Sequence, residues 1–173
     1  MDWREVWKEV EHEAYGVKVP PDLIAHSFSG REATTVEGVK VYAYLTVIDV
    51  AFWLVEEHLV RGDQYTIQSL KEIEKDLEDL EKKVSKDKRK YIRASLNLIR
   101  KARKVYEDEN TPLDEVVYRL KLLKYVEQIL SYITEDANSY IEESVDKIVT
   151  KMFDTIKRLI AISYKKEKKT VYE

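Results

Sequence analysis

Three histidines and their neighbouring carboxylates are the first residues to question for chemistry. Glu9-x-x-His12 sets an acid and an imidazole one helical turn apart, and Glu56-Glu57-His58 clusters three possible ligands. A metal held by such groups would activate water for hydrolysis. Di-iron bundles use the Glu-x-x-His unit twice, and here it occurs once. Glu9, His12, Glu57 and His58 are therefore weak metal-ligand candidates. His12 also falls about 180° around its helix from Trp3, on the face opposite the tryptophans, where a solvated position is the simpler reading.

Asp49 sits inside the most apolar stretch of the chain, residues 41–55. On a helical wheel Tyr42, Thr46, Asp49, Trp53 and Glu56 share a stripe roughly 80° wide. Tyr42, Asp49, Trp53 and Glu56 are pocket candidates on that stripe. A wetted helix face is the favoured alternative. Glu143-x-x-Asp146 has the spacing of the paired acids in helical nucleotide pyrophosphatases, but no second pair precedes it on the same helix.

The charge pattern of residues 86–104 is the most informative feature. It holds nine basic residues and one acid, Asp87, in a chain of net charge −3. Arg89, Lys90, Arg93, Arg100, Lys101 and Lys104 gather on one helix face. Several cations in a row can displace the counterions of a phosphate backbone together, so these six are nucleic-acid-binding candidates. The preceding segment, 63–83, carries seven acids and four bases. Acids along its edge, Glu74, Glu78 and Glu81, suit pairing with the same cations, as the flanks of coiled coils do. Internal or intersubunit pairing is the favoured reading. Tyr118, Tyr125 and Tyr132 repeat every seven residues among Arg119, Lys121 and Lys124. Base stacking is one use for such a series, but a core or interface stripe is the favoured one.

Other chemistry is excluded. The four glycines, at 16, 30, 38 and 62, cannot build a phosphate-cradling loop or a dinucleotide fingerprint. There is no Gly-x-Ser-x-Gly nucleophile elbow and no cysteine, hence no disulfide or thiolate ligand. No cofactor is expected, and the balance favours a protein that is not an enzyme.

The elements that must carry these residues are helices. Gly (4) and Pro (3) are too scarce for the many turns of a β fold. The 44% hydrophobic content supports a core, and 36% charge argues against a membrane protein. The 41–55 stretch is too short, and interrupted by Asp49, to span a bilayer. Lys and Glu are abundant while Gln, Asn and Met are rare, a bias like that of heat-adapted proteins. With no cysteine and no secretory signal, a cytoplasmic location is expected.

Apolar periodicity predicts helices over about 2–15, 34–61, 65–84 and 88–107, with Gly62-Asp63 ending the second. Leu70, Ile73, Leu77, Leu80 and Val84 form the seam of the third; Ile92, Leu96, Ile99 and Tyr106 form that of the fourth. The short link at 85–88 predicts an antiparallel charged hairpin over about 65–107. Thr111 at N-cap and Pro112 at N1 predict the next helix start. From Val126 to Leu159 the apolar residues keep one helical phase, which would allow one helix from 112 to 166. An unbroken helix of that length would reach on the order of 80 Å, so a break near 135–139 is favoured, with Ser139-x-x-Glu142 as its capping box.

The expected architecture is a single all-α domain over 1–173, a bundle of five or six helices with long C-terminal helices. The 34–61 helix and the C-terminal pair should form its centre, and the more polar hairpin is free to project from it. Apolar residues on more than one face of the C-terminal helices suggest self-association or partner helices. The leading functional expectation is a non-enzymatic helical interaction or assembly module. A nucleic-acid-binding protein using the basic stripe and a small metal-assisted hydrolase using His12 or His58 are the alternatives.

Overall fold

A polar side chain decides where the first described α-helix begins. Asp63 caps α1 (Gln64–Glu81): its carboxylate accepts the Thr66 N–H at 3.0 Å and the Thr66 hydroxyl at 2.9 Å. Gly62, immediately before it, has φ +70°, a left-handed turn that a residue with a Cβ rarely adopts. The computed structural model describes residues 56–134 and 137–172. Within them follow α2 (Arg89–Glu107), α3 (Leu113–Lys121), α4 (Lys124–Thr134) and α5 (Ser139–Tyr172), after a 3-10 turn at Glu56–His58. The described residues are mostly helical and contain no strand, so this part of the chain is all-α. The predicted 2–15 helix and most of the 34–61 helix fall outside the described residues, as do Glu9, His12, Tyr42, Asp49 and Trp53.

The hairpin is antiparallel, and its side-chain pairs show it. Glu81 meets Arg93, Glu78 meets Arg100, Glu74 meets Arg103 and Lys71 meets Glu107. The predicted seam residues of both helices are buried. The hairpin does not project, however. α2 also packs on α3 and α4, α4 on α5, and α5 back on α1. Taking α3 and α4 as one interrupted rod, four rods form a closed ring. α2 is accordingly buried over a wider arc than its seam: Ala94, Ser95, Leu98 and Ala102 are inside as well. The small Ser95 and Ala102, both 0% exposed, lie near the middle of that arc at 100° per residue, so α2 can approach its neighbours closely.

Three boundaries depart from expectation. The segment predicted to stay helical to residue 61 is not helical from Leu59 to Asp63. Its backbone groups bond to side chains of other elements instead. The Val60 N–H donates to Ser163 Oγ at 3.0 Å, the Tyr106 hydroxyl donates to the Val60 carbonyl at 2.8 Å, and the Asp63 N–H donates to Tyr106 Oη at 3.1 Å. Thr111 does not cap α3. Its hydroxyl donates to Asp108 at 3.1 Å, and the N-cap is Pro112, whose carbonyl accepts the Val116 N–H. The break between the C-terminal helices is where it was expected, but its cap is Asn138 rather than Ser139: Asn138 Oδ1 accepts the Ile141 N–H at 3.0 Å. A further break at Leu122–Leu123 separates α3 from α4 through tight three-residue turns, Leu123 N–H to Leu120 O and Val126 N–H to Leu123 O. α5 runs for 34 residues, about 50 Å.

Asp63 also joins α1 to α5, because Arg158 donates to its carboxylate at 2.6 Å. Burial alone would raise the Asp63 carboxyl, but hydrogen bonds from Arg158 and Thr66 outweigh it and hold the group below its ordinary value. A carboxyl lowered by folding stabilises the fold above its unfolded pKa of about 3.9, and that contribution disappears as pH falls through the lower folded value. Asp63→Asn keeps a capping side chain but loses the ion pair. At pH 7 it should cost about 1 kcal/mol, as expected of a half-exposed pair. In urea titrations from pH 7 to pH 2 the gap to wild type should narrow below about pH 4. A constant gap would show that the carboxylate charge is not what acts.

A candidate interaction surface on the charged hairpin

The cations of α2 separate into two lanes. The first faces α1 and consists of arginines. Arg103 binds Glu74 through two bonds, Nε to Oε2 at 2.5 Å and an Nη to Oε1 at 3.0 Å, and reaches Glu107 at 3.2 Å. Arg100 bonds Glu78 and lies 3.5 Å from Glu74. Arg93 meets Glu81 at 2.5 Å. Glu74 is the deepest member, its side chain only 8% exposed. Its hydrogen bonds raise the Arg103 guanidinium above an already high ordinary value, against the opposing effect of burial. All three acids of the ladder are those whose spacing along 63–83 suggested it.

The second lane faces water. Lys90, Arg93, Asn97, Lys101 and Lys104 lie within about 80° of one another at 100° per residue. Lys90, Lys101 and Lys104 are exposed, and so is Arg93 at 59% despite its pair. Arg89, the remaining candidate, is half-buried, and its Nε is buried without a hydrogen-bond partner. The six residues of the sequence stripe are therefore brought onto one helix but do not present one surface.

Other candidates stand apart from this hairpin face. Glu56 and His58 are half-buried and Glu57 is exposed on the 3-10 turn; Glu56 lies 3.5 Å from Lys121 of α3. Among the described residues no group of three His, Asp or Glu side chains is placed to hold a metal ion. The tyrosine series enters the packing. Tyr125 is 1% exposed, Tyr118 is packed against the core, and Tyr132 meets Tyr91 edge-on with ring centroids 5.0 Å apart.

Three features escaped the sequence. Lys88 donates to the Ile133 carbonyl at 3.1 Å, satisfying an orphan acceptor in the last turn of α4. Arg61 donates to the carbonyls of Asp108 and Thr111 and ties down the α2–α3 link. Glu127 is a carboxylate buried in α4 at 5% exposure. Its signal was present: Leu120, Leu123, Glu127 and Leu130 recur at 3, 4 and 3, a second seam with an acid in it.

Most of the apolar residues of α3, α4 and the described side chains of α5, which suggested a partner, are turned inward. Tyr65 and Tyr140 are the large hydrophobics left exposed among the described residues. Among these residues, no helix is long and apolar enough to cross a membrane. Over the described residues, fold and surface together define an all-α bundle whose charged hairpin is paired along its inner edge and carries exposed cations on its outer face. No protein-family model, curated protein or solved structure matches this chain.

Proposed function

We propose that the chain is a non-enzymatic interaction module, a stiff helical scaffold that offers the outer face of α2 to a partner. The observation that carries this reading is the division of the α2 cations. The arginine lane is closed by Glu74, Glu78 and Glu81, which fixes the helix in the ring, while Lys90, Lys101 and Lys104 of the outer lane are exposed. Ordering long side chains on a helix already held from three sides costs less on binding than ordering a free segment. Contact is through charge rather than apolar area, since among the described side chains most large apolar ones are packed in the core, Tyr65 and Tyr140 being the exposed exceptions.

Size-exclusion chromatography with light scattering, read at 260 and 280 nm in low and high salt, tests the reading. It should show a partner or a second copy bound in low salt and released in high salt. A monomer that carries nothing at low salt, at micromolar concentration and above, would sink it.

A further inference from the structure

The lysine lane has a chemical bias that points to one kind of partner. From Lys90 to Lys104 it runs about 21 Å along the helix, and no acid interrupts it. Its exposed members are lysines and Arg93, with no large apolar side chain among them. Protein interfaces deplete lysine at their buried centres and rely on aromatic and apolar anchors. Phosphate backbones are bound by rows of cations, and lysine serves there as a point charge. The chain's net charge is −3, so the lane is a local exception that would orient an approaching polyanion.

We propose that the outer lane of α2, Lys90, Arg93, Lys101 and Lys104, binds the phosphodiester backbone of a nucleic acid without reading its bases. This rests on the interaction-module reading and names the partner. The lane holds cations suited to phosphate. Of the fork-shaped guanidiniums suited to reading guanine, Arg100 and Arg103 are turned toward α1 and engaged by Glu74 and Glu78, while Arg93, within the lane, is held by Glu81. Lys86, exposed in the turn that leads into α2, extends the same positive edge. Arg93 and Arg100 are poor choices for testing the idea, because reversing them would break the ladder and confuse unfolding with lost binding.

The test uses the full chain and two fluorescently labelled probes, a mixed-sequence DNA duplex and a single-stranded RNA, read by anisotropy. With three or four phosphates neutralised, the log–log salt dependence on duplex DNA should have a slope of about −3. Scrambling the probe sequence should leave affinity unchanged within about twofold. Lys90→Glu/Lys101→Glu/Lys104→Glu should weaken binding at least tenfold, with its helical circular dichroism retained. Lys75→Glu/Lys147→Glu/Lys157→Glu makes the same charge change on exposed lysines of α1 and α5 and should lose no more than about threefold. Equal loss in both triple variants would overturn the lane as the site, and so would no binding of either probe at 50 mM salt. The two probes distinguish DNA from RNA as the source of the phosphodiester. If neither probe binds but the chain forms a salt-sensitive oligomer that the lane variant abolishes, the lane docks on a second copy. That result overturns the nucleic-acid proposal and leaves the module reading standing.

Discussion

Glu74→Leu is expected to destabilise the protein by about 2–3 kcal/mol, although Glu74 lies in a helix whose outer face is mostly charged. Its side chain is 8% exposed and engages two guanidiniums, Arg103 at 2.5 Å and Arg100 at 3.5 Å. Breaking a buried pair costs roughly 3–5 kcal/mol, mainly because the surviving charge is left without a partner. Two facts reduce that figure here. Arg103 keeps Glu107 at 3.2 Å, and Arg100, 39% exposed, keeps Glu78 and reaches water. The double variant Glu74→Leu/Arg103→Met removes both charges and should recover most of the loss, since an apolar pair of similar volume is close to neutral in such a position. Urea denaturation of the wild type, both singles and the double gives the coupling directly. A single-variant cost below about 0.5 kcal/mol would place the ladder among ordinary surface pairs.

That ladder was legible because it depends only on local spacing. Glu74, Glu78 and Glu81 recur at 4 and 3, as do the seam leucines beside them, and a short link forces the next helix to run back. The seam of α2 was legible for the same reason. The width of its burial was not. Leu98 and Ala94 are buried as well, and α2 packs on α3 and α4, a packing that depends on closure of the ring rather than on any repeat in 88–107. Likewise the end of the helix predicted to reach residue 61 was misread. Nothing near Val60 in the sequence signals that Tyr106, 46 residues away, and Ser163, 103 residues away, take over its backbone hydrogen bonds.

The capping errors were of another kind. Ser139-x-x-Glu142 and Thr111-Pro112 both fit the expected patterns, yet each was displaced by one residue. Asn138 accepts the Ile141 N–H that Ser139 was expected to help cap, and the Thr111 hydroxyl donates to Asp108 and makes no cap bond to the start of α3. At Leu122–Leu123 the apolar phase carries straight through a break, since the periodicity reports which side faces the core and not whether the backbone ladder is continuous. For the candidate site the sequence located the basic helix but not its division. Which cations face α1 and which face water depends on the direction of each side chain relative to a packed neighbour.

Ile99→Ala should be the most damaging single change within α2, costing about 3–4 kcal/mol, inside the usual range for removing a buried isoleucine side chain. Ile99 is 0% exposed at the middle of α2, the helix that touches α1 on one side and α3 and α4 on the other. The size of the loss depends on whether the surroundings collapse into the space. Here they are poorly able to. Ser95 and Ala102, four residues before and three after Ile99, are small and also 0% exposed, so neither is long enough to fill the space. Ile99→Val removes one methylene and should cost only about 0.5–1.5 kcal/mol, while Lys104→Ala on the outer lane should stay within about 0.5 kcal/mol. For a chain of this size the alanine variant should melt roughly 10 °C lower. Equal costs for Ala and Val would mean that the site relaxes around the deletion and that α2 is not held from both sides. If Ile99→Ala melts early yet binds the DNA probe with an unchanged salt slope at 10 °C, the core's task is to hold the helix still, and the contact itself belongs to the lysines.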